Sequence, residues 1–311
     1  MIDMARDHVT KGEQLYHFMC TKIKRIPEVK ALTEIGNYGR RTTKLLEFVD
    51  GSIRFHAFAR IIQFGRWTLD REDLELYEDK VSELRRLCLE MLEIGEHNCD
   101  DLNALFNYVF DAARQIGKKI NESEKRAVRE DYKKRKLDLN CYMCDGRLDI
   151  SADQYRPGID FTQITGTTEQ IELLKERTRA VYNPIFVEYD HVWPRSLGGD
   201  STADNLLPIC PYCNREKANI VSWEWALVQS AVWPPLRGNS NVLDNITKQI
   251  RIALHLLAAM RAADTFGLSL KSAFLHVGPR QSTPRVNVDD DTSDFFNMEV
   301  HDQSKLDSLW E

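Results

Sequence analysis

The sequence predicts a mainly α-helical protein of the α+β class with a small metal-holding unit at its centre. Apolar residues recur at helical spacing through much of residues 1–112 and again over 243–263. A short apolar run, IFVEYDHV at 185–192, follows Pro184 and has the composition of a β-strand. Two Cys-x-x-Cys pairs enclose this strand within residues 141–217.

The 311 residues are enough for two or three domains, and the patterns divide them into four regions. The predicted boundaries are a helical accessory region at 1–136, a central metal-holding domain at 137–221, a helical region at 222–278 and an acidic, flexible tail at 279–311. The accessory region ends in a basic helix over about 114–136, and the central domain contains a long insertion at 145–185. No function is predicted for 1–112 beyond target selection, partner binding or formation of a homo-oligomer.

Individual helices follow from apolar spacing and from capping residues. Over 71–95, a helix that ends at Gly95 is predicted to carry one apolar face: Leu76, Val81, Leu84, Leu87, Cys88, Met91 and Leu92. Asp100 or Asp101 caps the next helix, whose apolar face is Leu102, Leu105, Phe106, Val109 and Phe110. Breaks are predicted at Gly51 and at 37–39. Further helices are predicted over 168–180 and from near Cys213 towards Asn219.

The charge is unevenly distributed, and local charge decides whether a phosphate backbone is attracted. The net charge is −6, but residues 289–311 carry eight acids and one lysine, which leaves +1 for residues 1–288. Residues 114–136 hold ten Lys and Arg against four Asp and Glu, a local charge of +6. This stretch fits either a nucleic-acid contact or a solvated face with Glu–Lys pairs. The acidic tail fits either a phosphate mimic or a solubilising segment.

Composition predicts a soluble, cytoplasmic protein that does not span a membrane. Charged residues make up 29% of the chain, no apolar run reaches about 18 residues, and the first residues lack the apolar core of a secretory signal. Seven cysteines are an odd number, and four of them form the two Cys-x-x-Cys pairs. In a leaderless chain this pattern favours a reducing compartment and metal binding over disulfides.

The paired cysteines predict a structural zinc site. Cys141, Cys144, Cys210 and Cys213 supply four soft thiolates, which favour zinc and leave it no open coordination position. The alternative is four buried free cysteines. Cys88 lies on an apolar helix face and is interpreted as a core residue.

An acid and an imidazole stand side by side at Asp190 and His191, and Asn214 follows the second cysteine pair. Asp190 and Asn214 offer the oxygen ligands that Mg²⁺ prefers, and a neutral imidazole suits proton abstraction from water. On a regular strand adjacent side chains point to opposite faces, but a bend or Pro194, where the turn after the strand begins, can bring both groups to one cleft. Such a set is suited to phosphodiester hydrolysis.

The segment resembles an HNH endonuclease motif of the ββα-metal superfamily, in the variant with two Cys-x-x-Cys zinc knuckles. Asp190-His191 matches the first motif element, Asn205 the middle asparagine and Asn214 the last position. The flanking pattern matches as well, with Pro194, the Gly198-Gly199 turn and a Cys-x-x-Cys-Asn-x-x-Lys run that ends at Lys217. The resemblance covers about 141–220. The chain departs from the family pattern in having Asn214 where many members have histidine, and in its long insertion.

The resemblance implies a metal-dependent endonuclease with a ββα-metal domain. His191 is then the general base, Asp190 and Asn214 hold catalytic Mg²⁺ or Mn²⁺, and Asn205 fixes the loop between the strands and orients His191. DNA is the expected substrate, in a restriction, antiphage-defence or mobile-element context. The alternatives are a zinc-stabilised nucleic-acid-binding module without nuclease activity and an RNA-directed nuclease.

Several basic and aromatic residues are candidates for nucleic-acid contact. Each basic candidate is equally compatible with a solvated side chain: Lys217, Arg195, Lys133, Lys134, Arg135 and Lys136. The tryptophans Trp223, Trp225 and Trp233 either stack on bases or pack in a core or an interdomain seam.

Overall fold

The structure is a computed structural model, and it describes residues 6–23, 43–156, 182–219, 221, 252, 255–256 and 258–278. Several predictions concern residues outside these ranges: the break at 37–39, the helix at 168–180, the three tryptophans at 223, 225 and 233, the first half of the 243–263 helix, and the acidic tail. Within the described part, residues 258–263 are helical, as predicted, and the helix continues to residue 266.

The architecture is mostly helical with one small sheet, so the predicted α+β class is confirmed. The helices are α1 Lys11–Lys22, α2 Thr43–Asp70, α3 Tyr77–Leu92, α4 Leu102–Ala113, α5 Glu122–Lys134, α6 Pro211–Lys217 and α7 Leu270–Val277. The strands are β1 Glu188–His191 and β2 Leu206–Ile209, joined by a loop with 3₁₀ turns at Arg195–Leu197 and Ala203–Asn205. No described helix combines the length and the apolar character needed to cross a lipid bilayer.

The helical region packs around α4, which contacts both α1 and α2. Asp101 caps α4, as predicted, because its side chain accepts a hydrogen bond from the Ala104 N–H at 2.9 Å. All five apolar residues predicted for this helix are buried: Leu102, Leu105, Phe106, Val109 and Phe110. Burying one complete apolar face is the main source of the stability of such a helix.

Three predictions for the earlier helices are wrong. Gly51 lies inside the 28-residue helix α2 and does not interrupt it. An internal glycine costs a helix only about 1 kcal/mol relative to alanine, which tertiary packing offsets. Helix α3 ends at Leu92 rather than Gly95, with Glu93 in the left-handed conformation at φ 51°. Leu76 and Met91 lie outside the α3 core face, with side chains 62% and 50% exposed.

The basic stretch 114–136 is helical only in its second part, α5. Gly117, at φ 88°, separates the end of α4 from the residues that lead to α5, and such a backbone conformation is inexpensive only for glycine. Asn121 caps α5 through a 2.9 Å hydrogen bond from the Glu124 N–H. The loop over 114–121 brings Lys118 and Lys119 close to the central unit.

The central unit has the order β1, β2, α6, which confirms the ββα topology that the resemblance implies. The strands pair antiparallel, with Glu188 opposite Ile209 and His191 opposite Leu206. Strand β1 is shorter than the predicted 185–192 run, and α6 begins two residues before Cys213.

The loop between the strands packs directly on the helical region. Trp193 is buried, and its ring lies 6.0 Å from the rings of Tyr16 on α1 and Phe58 on α2. The N–H of Gly12 donates to the carbonyl oxygen of Gly198 at 2.9 Å. The helical region is therefore part of the support of the loop that follows His191.

Candidate functional site

The four predicted zinc ligands come together in one cluster. The sulfurs of Cys141, Cys144, Cys210 and Cys213 all lie within 4.8 Å of one another, and the Sγ atoms of Cys144 and Cys210 are 3.9 Å apart. Four sulfurs in tetrahedral coordination to zinc are separated by roughly 3.8 Å. The donor set and its spacing therefore fit a zinc ion.

Backbone contacts form both cysteine knuckles. In the first, the Cys141 N–H donates to the Gly146 carbonyl and the Asp145 N–H donates to the Cys141 carbonyl, both at 2.8 Å. The Tyr142 N–H donates to the carbonyl of Pro208 in β2 at 3.1 Å, which ties this knuckle to the sheet. The second knuckle opens α6, with Cys210 at its N-cap.

A cleft of about 790 Å³ lies between the central unit and the loop that precedes α5. Asp190, His191 and Asn214 all line it. Adjacent side chains on a regular strand point to opposite faces, yet Asp190 and His191, the last two residues of β1, both line this cleft. Lys119, Lys125 and Arg195 also line the cleft.

The imidazole of His191 has a defined hydrogen-bond partner. Its Nε2 atom lies 2.9 Å from the hydroxyl of Ser201, and that hydroxyl donates to the backbone oxygen of Lys118 at 2.9 Å. Since the carbonyl can only accept, the serine hydrogen is used there, and Nε2 must be the protonated nitrogen. Burial lowers the pKa of His191 to about 4, against the opposing negative charge of Asp190 and with a further lowering by the positive charges of Arg195 and Lys217. The ring is therefore neutral at pH 7.

Asp190 is buried, and one of its two carboxylate oxygens contacts two other side chains. Its Oδ2 atom accepts a 2.6 Å hydrogen bond from the hydroxyl of Tyr142 and lies 2.9 Å from Nζ of Lys217. Burial, followed by the neighbouring charge of Asp190, raises the pKa of Tyr142 well above its ordinary value, so this hydroxyl stays protonated and donates.

The interpretation of Lys217 as a phosphate ligand is wrong. Its side chain is fully buried, and its ammonium group binds Asp190 and donates to the backbone oxygen of His191 at 3.1 Å. A buried ammonium group needs a counter-charge, and Asp190 supplies it. Lys217 therefore stabilises the site from within and is not accessible to a nucleic acid.

Asn214 is oriented by a carboxylate on the neighbouring strand. Its Nδ2 group donates to Oε2 of Glu188 at 2.8 Å. Arg215 pairs with the same carboxylate at 3.1 Å and lies over the ring of Tyr182, 3.6 Å from its centroid. Because the amide nitrogen is engaged with Glu188, Oδ1 is the end of the amide that remains for a ligand in the cleft.

Asn205 holds the loop between the strands through three side-chain hydrogen bonds. Its Oδ1 atom accepts from the Trp193 N–H at 2.8 Å, and its Nδ2 group donates to the carbonyl oxygens of Trp193 and Asp200 at 3.0 and 2.8 Å. These bonds match the loop-fixing role that the resemblance implies. They also engage both ends of the side-chain amide with the backbone of the loop.

The remaining basic candidates separate into two groups. Arg195 is exposed at the cleft, where it also donates to the backbone oxygen of Lys118 at 3.3 Å. The other four are exposed but are not among the residues that line the cleft: Lys133, Lys134, Arg135 and Lys136. They lie at the C-terminal end of α5, about 12 Å along the helix from Lys125.

Sequence reasoning did not identify several residues that shape the site. Glu188 is two residues before Asp190, and the two-residue period of a strand could have indicated their shared face. Ser201 and Tyr142 reach the site through contacts that no local pattern predicts. Lys119 and Lys125 lie within the predicted basic stretch but were not distinguished from its other members.

The arrangement places Asp190, His191 and Asn214 on one cleft, in a unit that also contains a cluster of four cysteines able to hold a metal ion. Residues 183–219 match the family model described as HNH endonuclease. The chain therefore contains an HNH endonuclease segment, which indicates a nuclease-type function. No curated protein and no solved structure shows significant similarity to the chain.

Proposed function

We propose that this protein is a metal-dependent HNH endonuclease that hydrolyses phosphodiester bonds in DNA. The observation that carries the proposal is the single cleft that Asp190, His191 and Asn214 line together. Hydrolysis of a phosphodiester requires an activated water, stabilisation of the charge on the leaving oxygen, and a means of holding the phosphate. Each requirement has a candidate group in this cleft.

His191 is the proposed general base. The hydrogen bond of its Nε2 atom to Ser201 leaves Nδ1 with the lone pair that can accept a proton from water. The low pKa of about 4 keeps this nitrogen unprotonated at neutral pH. It also makes the imidazole a weaker base than an exposed histidine, so the water needs a second source of activation or charge stabilisation.

Asp190 and Asn214 are the proposed ligands of the catalytic cation, Mg²⁺ or Mn²⁺. Tyr142 and Lys217 both contact Oδ2 of Asp190, which leaves Oδ1 as its second oxygen, and Asn214 contributes its amide oxygen. A carboxylate and an amide oxygen fit a hard cation, which keeps the rest of its shell as water or phosphate oxygen. When bound, such a cation stabilises negative charge on the leaving oxygen.

Lys119, Lys125 and Arg195 are the proposed contacts of the nucleic-acid backbone at the cleft. All three line it, and Lys125 also pairs with Glu122 across one turn of α5 at 2.6 Å. Exposed pairs of this kind contribute little to stability, so a phosphate group can replace Glu122 at low cost. Contacts to phosphate carry no sequence information, and they support binding to any polynucleotide.

The decisive experiment compares cleavage of plasmid DNA by the wild type and by His191→Ala, with Mg²⁺ or Mn²⁺ and with chelator. We expect the variant to lose a factor of roughly 100 or more, which is typical of the removal of a general base. His17→Ala is the matched control, because His17 is exposed on α1 outside the cleft. Equal cleavage by wild type and His191→Ala contradicts the assignment of the base.

The same assay separates the proposal from its two alternatives. A matched RNA in parallel reactions tests an RNA-directed nuclease, since none of the proposed contacts reads the sugar. Metal-independent DNA binding without cleavage by wild type indicates a zinc-stabilised binding module. Cleavage of DNA that requires Mg²⁺ or Mn²⁺ supports the endonuclease.

A further inference from the structure

The carboxylate of Asp190 is held from both cysteine knuckles. Tyr142 is the residue after Cys141 in the first knuckle, and its hydroxyl donates to Oδ2 of Asp190 at 2.6 Å. Lys217 lies four residues after Cys213 on α6, and its Nζ atom is 2.9 Å from the same oxygen. A side chain from the first knuckle and one from the helix that the second knuckle opens therefore contact the same oxygen of Asp190.

These contacts are shielded from water. The exposed fractions of Tyr142, Asp190 and Lys217 are 5%, 6% and 0%. A hydrogen bond in such surroundings does not exchange readily with solvent, so it restricts the carboxylate more strongly than an exposed contact does.

The ring of Tyr142 is itself fixed in place. Its backbone N–H donates to Pro208 in β2 at 3.1 Å, and its ring packs edge-on against Phe274 of α7 with the centroids 5.4 Å apart. The position of the hydroxyl is therefore set by the first knuckle, the sheet and α7 together.

We propose that Tyr142 is a positioning residue that couples the four-cysteine centre to the catalytic cation. By holding Oδ2 of Asp190, Tyr142 and Lys217 leave Oδ1 oriented for the cation in the cleft. A metal ion bound by the four sulfurs would fix the knuckle that carries Tyr142. The hydrogen bond from Tyr142 would then fix the orientation of the Asp190 carboxylate. The inference rests on the proposed function, since it assumes that Asp190 is a ligand of the catalytic cation.

The chain offers a matched control in the second knuckle. Tyr212 lies between Cys210 and Cys213, as Tyr142 lies between Cys141 and Cys144. Its hydroxyl binds Arg156 at 2.9 Å and the backbone oxygen of Tyr182 at 3.3 Å, and neither residue lines the cleft. Tyr212→Phe therefore removes a knuckle hydroxyl without touching Asp190.

The experiment measures Mn²⁺ binding by electron paramagnetic resonance in the full-length, zinc-loaded wild type, Tyr142→Phe and Tyr212→Phe. Removing a partner that orients a metal ligand commonly weakens metal affinity 10- to 100-fold. We expect the dissociation constant for Mn²⁺ to rise about tenfold in Tyr142→Phe, and to stay at the wild-type value in Tyr212→Phe. Zinc content should be unchanged in both, and cleavage by Tyr142→Phe should lose kcat with an unchanged KM for DNA.

A double-variant cycle tests whether the effect passes through Asp190. In an Asp190→Asn background, Tyr142→Phe should cause no further loss of Mn²⁺ affinity. An equal loss in both backgrounds overturns the coupling. Loss of zinc or of folded signal in Tyr142→Phe also overturns it, because the tyrosine is then only a structural part of its knuckle.

The failure of this inference is distinguishable from the failure of the proposed function. If the wild type binds Mn²⁺ and cuts DNA, and Tyr142→Phe has the same Mn²⁺ affinity and kcat, the proposed role of Tyr142 is wrong and the proposed endonuclease function stands. Wild type that neither binds Mn²⁺ nor cuts overturns both.

Discussion

The side-chain amide of Asn214 donates to Oε2 of Glu188 at 2.8 Å, and this bond decides which end of the amide faces away from the strand. Glu188 is in turn held by Arg215 at 3.1 Å. Asparagine oxygen and nitrogen have nearly the same shape, so only the hydrogen-bond partner distinguishes the two orientations. The carboxylate of Glu188 can accept a hydrogen bond only from the amide nitrogen of Asn214, so the amide oxygen is left to bind a ligand in the cleft.

Glu188→Ala should therefore weaken binding of the catalytic cation. Without the carboxylate the amide of Asn214 can turn and present its nitrogen, which does not bind Mg²⁺. We expect the Mn²⁺ dissociation constant to rise by roughly tenfold, measured by calorimetry on the zinc-loaded protein. Glu130→Ala is the control, because it removes a carboxylate from an exposed pair with Arg126 on α5. An unchanged affinity in Glu188→Ala contradicts the orienting role.

Ser201→Ala should slow cleavage without changing affinity for DNA. The serine hydroxyl keeps the hydrogen of His191 on Nε2, and its removal leaves the tautomer of the ring unconstrained. A single hydrogen bond contributes about 0.5–1.5 kcal/mol, which corresponds to a decrease in kcat of roughly 2- to 12-fold. Ser201→Thr retains the hydroxyl and should recover most of the rate. Nitrogen chemical shifts of His191 report the tautomer directly, and identical shifts in wild type and Ser201→Ala contradict the assignment.

The rate of cleavage should not follow the titration curve of an ordinary, exposed histidine as the pH changes. Burial lowers the pKa of His191 from 6.5 to about 4, so the neutral imidazole persists at pH values where an exposed histidine is protonated. We therefore expect kcat to show no acid limb with a midpoint near pH 6.5. Single-turnover rates between pH 5 and 8, with zinc content verified at each pH, test this expectation.

The same shift predicts how stability depends on pH. Between pH 6.5 and about 4 the unfolded state binds a proton at His191 that the folded state excludes. The contribution of this residue to the free energy of unfolding therefore decreases as the pH falls through that window. His191→Gln should flatten this part of the stability profile, and an unchanged slope indicates that His191 does not cause it.

Gly12→Ala should destabilise the contact between α1 and the loop that follows His191. A Cβ atom at this position would lie 2.0 Å from the backbone oxygen of Leu197 and 2.3 Å from Nε1 of Trp193. The helix gains up to about 1 kcal/mol from alanine, but overpacking against a backbone atom typically costs about 1–3 kcal/mol. We expect a net loss of stability in urea unfolding, together with reduced cleavage.

Gly65→Ala is the contrasting variant, since this glycine of α2 meets a side chain. Its Cβ would lie 2.5 Å from Cγ1 of Val109, and a side-chain atom can move more easily than a backbone oxygen. We expect a smaller loss of stability than in Gly12→Ala and normal cleavage. The reverse order of the two losses contradicts the tight contact between α1 and the loop.

Loss of one cysteine ligand should release the structural metal ion and unfold the central unit. Cys210→Ser replaces a buried thiolate of the cluster, and structural zinc sites contribute folding energy directly. We expect elemental analysis to find about one zinc per wild-type chain and a large decrease in Cys210→Ser, together with a lower Tm. Cys20→Ser, at an exposed position outside the cluster, should retain both metal and stability. Full metal content in Cys210→Ser excludes the four-sulfur site.

The residue types and their spacing were enough to predict the cluster of four cysteines and three residues that share the cleft. The two Cys-x-x-Cys pairs, Asp190-His191 and Asn214 are short, local patterns, and their ligand preferences are intrinsic to the side chains. The buried face of α4 was also predictable, because a 3.6-residue period is visible in the sequence itself. Local capping and periodicity did not determine the length of α2 or the exposed position of Met91, where packing against neighbouring helices decided the outcome.

Only the tertiary structure decided how those groups are oriented. Tyr142 and Asp190 are 48 residues apart, and Ser201 and Lys118 are 83 apart, so nothing local indicates that they meet. The same is true of Lys217, which the sequence places beside a nuclease motif but which folding buries against Asp190. The physical reason is that spacing along the chain specifies which atoms are available, whereas the direction of a lone pair depends on partners that long-range packing brings into contact.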